Sequence, residues 1–352
     1  MKGEDEDMDE RDIQARFRAA SERWLPAILE LIREIGLEGL ERGSTLQAMS
    51  AYHFDTGGKR LRALLPLLVA EELGRDPVGM LPFGAACEML HNATLVHDDL
   101  QDGDRLRRGR ATIWARHGVP QAINLGDAMF YWALLLLGRL SATPEAREAA
   151  AGRLLRETLR VIDGQEREFL LKTSLDPRME DYFSMVEGKT SGLFALPIAG
   201  AAELCGADPA LVHALAEASR HLGVLFQIQD DLLDLYGEKG RGERGSDIGE
   251  GKRSVLVVHA MTHASPAARE RLRAILDAPR EATGPEEVAE ALGILEETGS
   301  TRFAMAEIRR RRRASVEASG LRVHAGLHDL LGRVGDLMLH PISTLMPLME
   351  GA

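Results

Sequence analysis

"PFGAACEMLHNATLVHDDLQD", residues 82–102, is apolar or small on almost every face until it runs into aspartate. A helix that is apolar nearly all round is buried at the centre of a helical protein. Residues 118–137, "GVPQAINLGDAMFYWALLLL", predict a second buried helix, with Phe130, Tyr131 and Trp132 in the core. Residues 214–237, "ALAEASRHLGVLFQIQDDLLDLYG", predict a third. Elsewhere the chain is built from Ala, Leu, Glu and Arg, and no period-two run of strand length stands out. The expectation is one all-α domain over residues 13–352, preceded by a flexible acidic tail over 1–12. The glycine-rich, charged stretch 237–253 reads as a loop, and short amphipathic helices alternate with breaks beyond Pro279.

A net charge of -12 argues against general nucleic-acid binding, because the phosphate backbone would be repelled. The run Arg309–Arg313 reads as a solvated helix face near Glu307 and Glu317. Cys87 and Cys205 lie in apolar segments and read as small buried hydrophobes. The acidic N-terminus does not look like a signal peptide, and the apolar run 128–140 breaks at Arg139, short of a membrane span. A soluble, cytoplasmic protein is expected.

Asp98, Asp99 and Asp102 stand at i, i+1 and i+4, and Asp230, Asp231 and Asp234 repeat that spacing. On a helix this stacks like charges one turn apart, which is mildly destabilising. Two such triplets, each ending a buried helix, call for divalent cations between them. Magnesium suits an all-oxygen donor set and is readily shared with substrate phosphates. No Cys/His cluster has transition-metal spacing. Cations gather in the same motifs: Lys59, Arg60 and Arg62 in "GGKRLR", Arg107 and Arg108 after the first triplet, Lys189 in "GKT", and Lys252 and Arg253 in "EGKRS". Arginine grips phosphate oxygens bidentately and lysine acts as a point charge.

The ordered set "GGKRLR", "LHNATLVHDDLQDGDRLRRGRAT", "GDAMF", "GKTSGLF", "GVLFQIQDDLLDLYG" and "GSDIGEGKRS" resembles the polyprenyl diphosphate synthase family of trans-prenyltransferases over roughly residues 25–345. The resemblance implies an isoprenoid-synthase-type bundle of ten or more helices around a deep central cavity, in a homodimer. It implies that Asp98 and Asp102, with Asp99 beside them, bind two of three magnesium ions (manganese being an alternative). Asp230 would bind the third, supported by Asp231 and Asp234. Arg107 and Lys252 would hold the diphosphate of an allylic substrate: dimethylallyl, geranyl or farnesyl. Lys59, Arg62, His91 and Arg108 would hold isopentenyl diphosphate, and Lys189, Thr190 and Gln227 would line the path of the carbocation. The family's lysine ahead of "GSDI" has no clear counterpart, with Lys239, Arg241 and Arg244 nearby.

A growing chain passing the helix upstream of Asp98 would meet Ala93, Thr94 and then Leu90, at steps of about 5.4 Å per turn. In the family a bulky aromatic at the fifth position before the first aspartate stops growth, and Ala93 leaves that gate open. The resemblance favours a geranylgeranyl product, with a longer polyprenyl chain as the alternative. A terpene cyclase would replace "DDLLD" with another motif. A metal-dependent phosphohydrolase would need more histidines around "HD" at 97–98, and a regulatory subunit would lose aspartates from one triplet. His97 reads as a core histidine.

Overall fold

All three apolar stretches are helical in the computed structural model of the chain, which describes residues 2–41, 43–237, 245–318 and 320–343, the first dozen or so by backbone alone. In chain order, α1 (Lys2–Ile35), α2 (Thr45–Phe54), α3 (Leu61–Glu72) and α4 (Leu81–Gln101) lead into a hairpin, β1 (Leu106–Arg107) and β2 (Arg110–Ala111). Next come α5 (Ile113–His117), α6 (Val119–Gly138), α7 (Pro144–Lys172) and α8 (Met179–Val186). A π-helical turn, Glu187–Ser191, joins α8 to α9 (Gly192–Leu204), and α10 (Pro209–Tyr236) follows. The remainder is α11 (Ser246–Gly249), α12 (Val255–His263), α13 (Pro266–Leu276), α14 (Pro285–Glu297), α15 (Ser300–Glu317) and α16 (Ala325–Leu339). Among the described residues the hairpin is the only sheet, so the all-α expectation holds.

α1 takes in the acidic segment expected as a tail. No proline interrupts that helix before Pro26.

The chain divides into two compact units, each discontinuous in sequence. One comprises residues 1–158, 193–219 and 318–333, and the other 159–192, 220–317 and 334–352. In the first, α4 packs against α6, α3 and α1. Phe83, Met89 and Leu90 of α4 are fully buried, each worth about 2 kcal/mol of hydrophobic stabilisation. Gly84 allows the close approach to α3, since a Cβ there would strike the carbonyl of Ala63. α4 stops where Asp102 caps it and Gly103 turns left-handed at φ 73°.

One sequence expectation is corrected on α6. Trp132 is buried and Phe130 half-buried, but Tyr131 is 69% exposed. At 100° per residue, Met129, Trp132, Ala133 and Leu136 share the inward face, and Ile123, Tyr131 and Leu135 point outward.

The core of the second unit gathers Val186, Ile228, Leu232, Val257 and Leu295. Ser254 and Ser265 cap α12 and α13 by accepting from the amides of Val257 and Ala268. Gly164 of α7 lies against the π-helical turn so closely that a Cβ would enter the backbone of Lys189. Among the described residues no helix is long and apolar enough to cross a membrane. Cys87 and Cys205 are free and buried, as read.

Candidate active site

The hairpin and the "GGKRLR" loop assemble the cations of the first unit. β1 and β2 pair Arg107 with Arg110, so Arg108 and Gly109 form a two-residue turn with φ of 52° and 75°. Such a turn needs left-handed backbone at both positions and ordinarily takes asparagine and glycine. Among the described residues the non-glycine residues at positive φ are Arg108 and Arg60, which leads into α3. Side chains are held in that region at a cost, characteristically at functional sites. The Arg108 guanidinium donates to the Gly57 carbonyl. Gly57 and Gly58 both lie at positive φ, 76° and 120°, which explains the paired glycines.

Arg62 is buried on the first turn of α3. Its Nη1 lies 3.3 Å from His91 Nε2, and its guanidinium stacks 4.4 Å from the centre of the Phe194 ring. Burial, and then the charges of Arg62, Arg107, Arg108 and Arg60, hold His91 well below the ordinary histidine range. It is therefore neutral. Arg62 can only donate, so Nε2 is the acceptor and Nδ1 carries the hydrogen. That Nδ1 is buried with no hydrogen-bond partner. Lys59 is exposed on the same loop. The arrangement is a concentrated positive site with an aimed N–H donor, which is what an anion requires.

The aspartates split into two kinds. Asp98 and Asp102 are half-buried at the end of α4, one turn apart, with the Asp102 amide donating to the Asp98 carbonyl at 2.8 Å. Asp99 is 2% exposed and pairs with Arg107. Arg107 Nε donates to its Oδ1 at 2.7 Å, and Arg107 Nη2 lies 2.6 Å from the same oxygen. In the second unit Asp230 is half-buried, and Asp231 and Asp234 are buried. Asp234 accepts from the Ser246 hydroxyl at 2.6 Å and the Asp247 amide at 3.0 Å, pinning the start of α11. Asp231 accepts from Tyr182, Gln227 and the Val255 amide.

Among the described residues no group of three or more carboxylate, imidazole or thiolate side chains converges to hold an ion. Magnesium does not need one, because it keeps waters and takes phosphate oxygens. Half-buried carboxylates, Asp98 and Asp102 in the first unit and Asp230 in the second, offer only oxygen, which suits such an ion.

The second unit also carries the other candidates. Lys189 pairs with Glu168 of α7. Thr190 donates to Gln227 Oε1 at 3.0 Å. Lys252 Nζ lies 2.8 Å from Glu250 and 3.5 Å from Asp247. Lys239, Arg241 and Arg244 lie outside the described residues. Ala93, Thr94 and Leu90 are all buried on α4, with the Thr94 hydroxyl returned to the His91 carbonyl at 2.8 Å.

His97, expected in the core, is half-buried: it packs on Phe130 with centroids 5.7 Å apart and lies 3.4 Å from the Ile123 carbonyl. The arginine run is ion-paired: Arg310 to Glu307 and Arg312 to Asp336. Arg311 departs from the expected solvated face. It is buried over Phe183, beside Glu187 and Glu307, because its position turns inward on α15.

Sequence reasoning missed the groups that hold these side chains. Arg60 Nη1 donates to Glu88 at 2.9 Å, and Asn92 Nδ2 donates to the same carboxylate at 2.9 Å. His53 Nε2 lies 3.1 Å from Asn92 Oδ1. The one legible signal was Glu88 itself, a lone carboxylate in an apolar helix. Tyr182 and Glu168 carried none.

A sequence model of the polyprenyl synthetase family matches residues 43–295. The short chain isoprenyl diphosphate synthase of Methanothermobacter thermautotrophicus is 34% identical over 298 residues, covering 84% of this chain and 90% of the relative. A geranylgeranyl diphosphate synthase of Mycobacterium tuberculosis is 35% identical over 254 residues, covering 68% and 72%. The crystal structure of geranylgeranyl pyrophosphate synthetase from Pyrococcus horikoshii superposes with a TM-score of 0.82 at 27% identity, covering 94% of this chain and 98% of that one. The sequence match and the shared fold agree: the chain belongs to the polyprenyl synthetase family. It is a trans-prenyltransferase.

Proposed function

We propose that the protein condenses an allylic diphosphate with isopentenyl diphosphate head to tail, and that its product is geranylgeranyl diphosphate. The observation that carries this reading is the cation cluster around neutral His91, where Arg60 and Arg108 are held in left-handed backbone. Lys59, Arg62, Arg108 and the His91 Nδ1–H would bind the diphosphate of isopentenyl diphosphate. Arg107, aimed by Asp99, would hold the allylic diphosphate together with Lys252. Three magnesium ions, or manganese, held by Asp98, Asp102 and Asp230 would supply the charge that makes diphosphate a good leaving group.

The allylic C–O bond breaks and its electron pair leaves with diphosphate. The double bond of isopentenyl diphosphate attacks the resulting cation to form the new C–C bond, and the proton then lost passes to the released diphosphate. Thr190 and Gln227 would face the cation with oxygen lone pairs. An apolar cavity of the kind the family resemblance implies would exclude the water that quenches it.

Residues 13–352 are read as one catalytic domain, since the family match runs through stretches of both units. A homodimer is proposed from apolar side chains left exposed along α7. The geranylgeranyl product is supported by the names of several relatives, while the small residues at Ala93 and Thr94 suit it and a longer chain alike. Incubation with farnesyl diphosphate and labelled isopentenyl diphosphate, then chromatography of the dephosphorylated products, should give geranylgeraniol. A ladder of longer alcohols would assign a longer-chain synthase, and no incorporation would overturn the reading.

A further inference from the structure

Asp231, at 4% exposure, is held by neighbours from three elements of the second unit. Its Oδ2 accepts from the Tyr182 hydroxyl of α8 at 2.8 Å and from the Val255 amide at the start of α12 at 2.9 Å. Its Oδ1 accepts from Nε2 of Gln227, one turn back on α10, at 3.0 Å. Gln227 Oε1 in turn accepts from Thr190 on the π-helical turn at 3.0 Å.

We propose that Tyr182 and Asp231 are positioning residues that fix the Gln227 amide, and through it the Thr190 hydroxyl, so that oxygen lone pairs face the reacting carbon. This rests on the reading that Thr190 and Gln227 line the path of the carbocation.

Donor and acceptor chemistry leaves little freedom. A carboxylate only accepts, so the nitrogen end of the amide faces Asp231 and the oxygen end faces Thr190. An amide oxygen also only accepts, so Thr190 must donate. Its single hydrogen is thereby committed to Gln227, and lone pairs are what the hydroxyl has left to present. Those stabilise developing positive charge, whereas a hydroxyl hydrogen would oppose it. Tyr182 and the Val255 amide hold the second carboxylate oxygen, so Asp231 cannot swing away from Gln227. Without that anchor the amide can turn end for end, and Thr190 is free to rotate. Asp231 on this account acts through Gln227 and not as a ligand of the metal.

The test uses the full chain with Tyr182→Phe, Asp231→Asn, Gln227→Ala and the double variant Asp231→Asn/Gln227→Ala. Each is measured for kcat, both KM values, the half-saturating magnesium concentration and melting temperature. Asp231→Asn should lower kcat roughly 10- to 100-fold and Tyr182→Phe several-fold. Both KM values and the magnesium half-saturation should stay within about twofold, and the double variant should be no slower than Gln227→Ala alone. Tyr182→Phe removes one hydroxyl and keeps the ring, so it reports even if Asp231→Asn folds poorly. A magnesium requirement raised roughly tenfold in Asp231→Asn would make that residue a metal ligand and overturn the proposal. Losses that multiply in the double variant would overturn it alone, leaving the roles of Thr190 and Gln227 standing. An unchanged kcat in Gln227→Ala would instead overturn the reading beneath it.

Discussion

Arg108 occupies a turn position that costs an arginine about 1–2 kcal/mol and costs asparagine less. Nothing in local propensity favours it there, so the strain belongs to what its guanidinium binds. Arg108→Asn should raise the melting temperature by a few degrees and raise KM for isopentenyl diphosphate by roughly tenfold or more, with the allylic KM nearly unchanged. A variant that is more stable and equally active would remove Arg108 from the site. The aspartates differ at the same scale. Asp98→Ala should cut turnover by orders of magnitude at unchanged melting temperature. Asp99→Ala removes the carboxylate that pairs with buried Arg107 and should destabilise the fold by about 3–5 kcal/mol. Wild-type activity should vanish in chelator and return with magnesium or manganese. Equal effects of the two substitutions on stability would show that the triplet is not divided in this way.

Packing of α2 and α3 onto α4 is where the site depends on whole elements. His53 on α2, Arg60 ahead of α3, and Glu88 and Asn92 on α4 form one buried network. Burial, then Arg107 and Arg60, push His53 down to about 3, against a partial opposing effect from Asn92. The unfolded chain takes up a proton near pH 6.5 and the folded chain does not. The contribution of neutral His53 is therefore complete above about pH 6.5 and declines as pH falls toward 3, by up to about 1.4 kcal/mol per pH unit. In His53→Gln, denaturant unfolding should lose less stability than wild type between about pH 6.5 and 4. Parallel pH profiles would exclude the network as the acid-sensitive element. The helices themselves were legible, because α4, α6 and α10 stand out as long, nearly continuous apolar runs, with aspartates marking the ends of α4 and α10. The network was not, because Glu88 meets Arg60 from 28 positions away along the chain, and pairings of that kind leave no periodic trace. For the same reason the Arg107 partner of Asp99 leaves no sign in the sequence pattern. α4 also carries the chain-length reading. Ala93 is fully buried, so Ala93→Phe should shorten the product by filling the path below the diphosphate, and an unchanged product would mean that the chain does not pass residue 93.

Association is the property of the whole molecule that follows most directly from its surface. On α7, Leu155, Leu159 and Ile162 are exposed at steps of four and three residues, with Leu159 at 66% and Ile162 at 54%, and Phe169 and Leu170 continue the face. That spacing puts them on one side of the helix. A run of large apolar side chains at such exposure is more than the scattered leucines of an ordinary surface, and it marks an interaction face. Arg167 and Asp163 pair with each other at 2.7 Å on the same helix, while the large apolar side chains beside them have no cover. A second copy of the chain would supply it without any other partner, since a twofold axis brings identical faces together. Light scattering of the wild type should therefore give twice the mass of one chain, and Leu159→Arg with Ile162→Arg should give one, because two buried like charges facing their own copies outweigh the apolar area that remains. The substitutions lie on exposed positions, so near-ultraviolet circular dichroism of each chain should be unchanged. A double variant that stays dimeric would exclude this face of α7 from the contact.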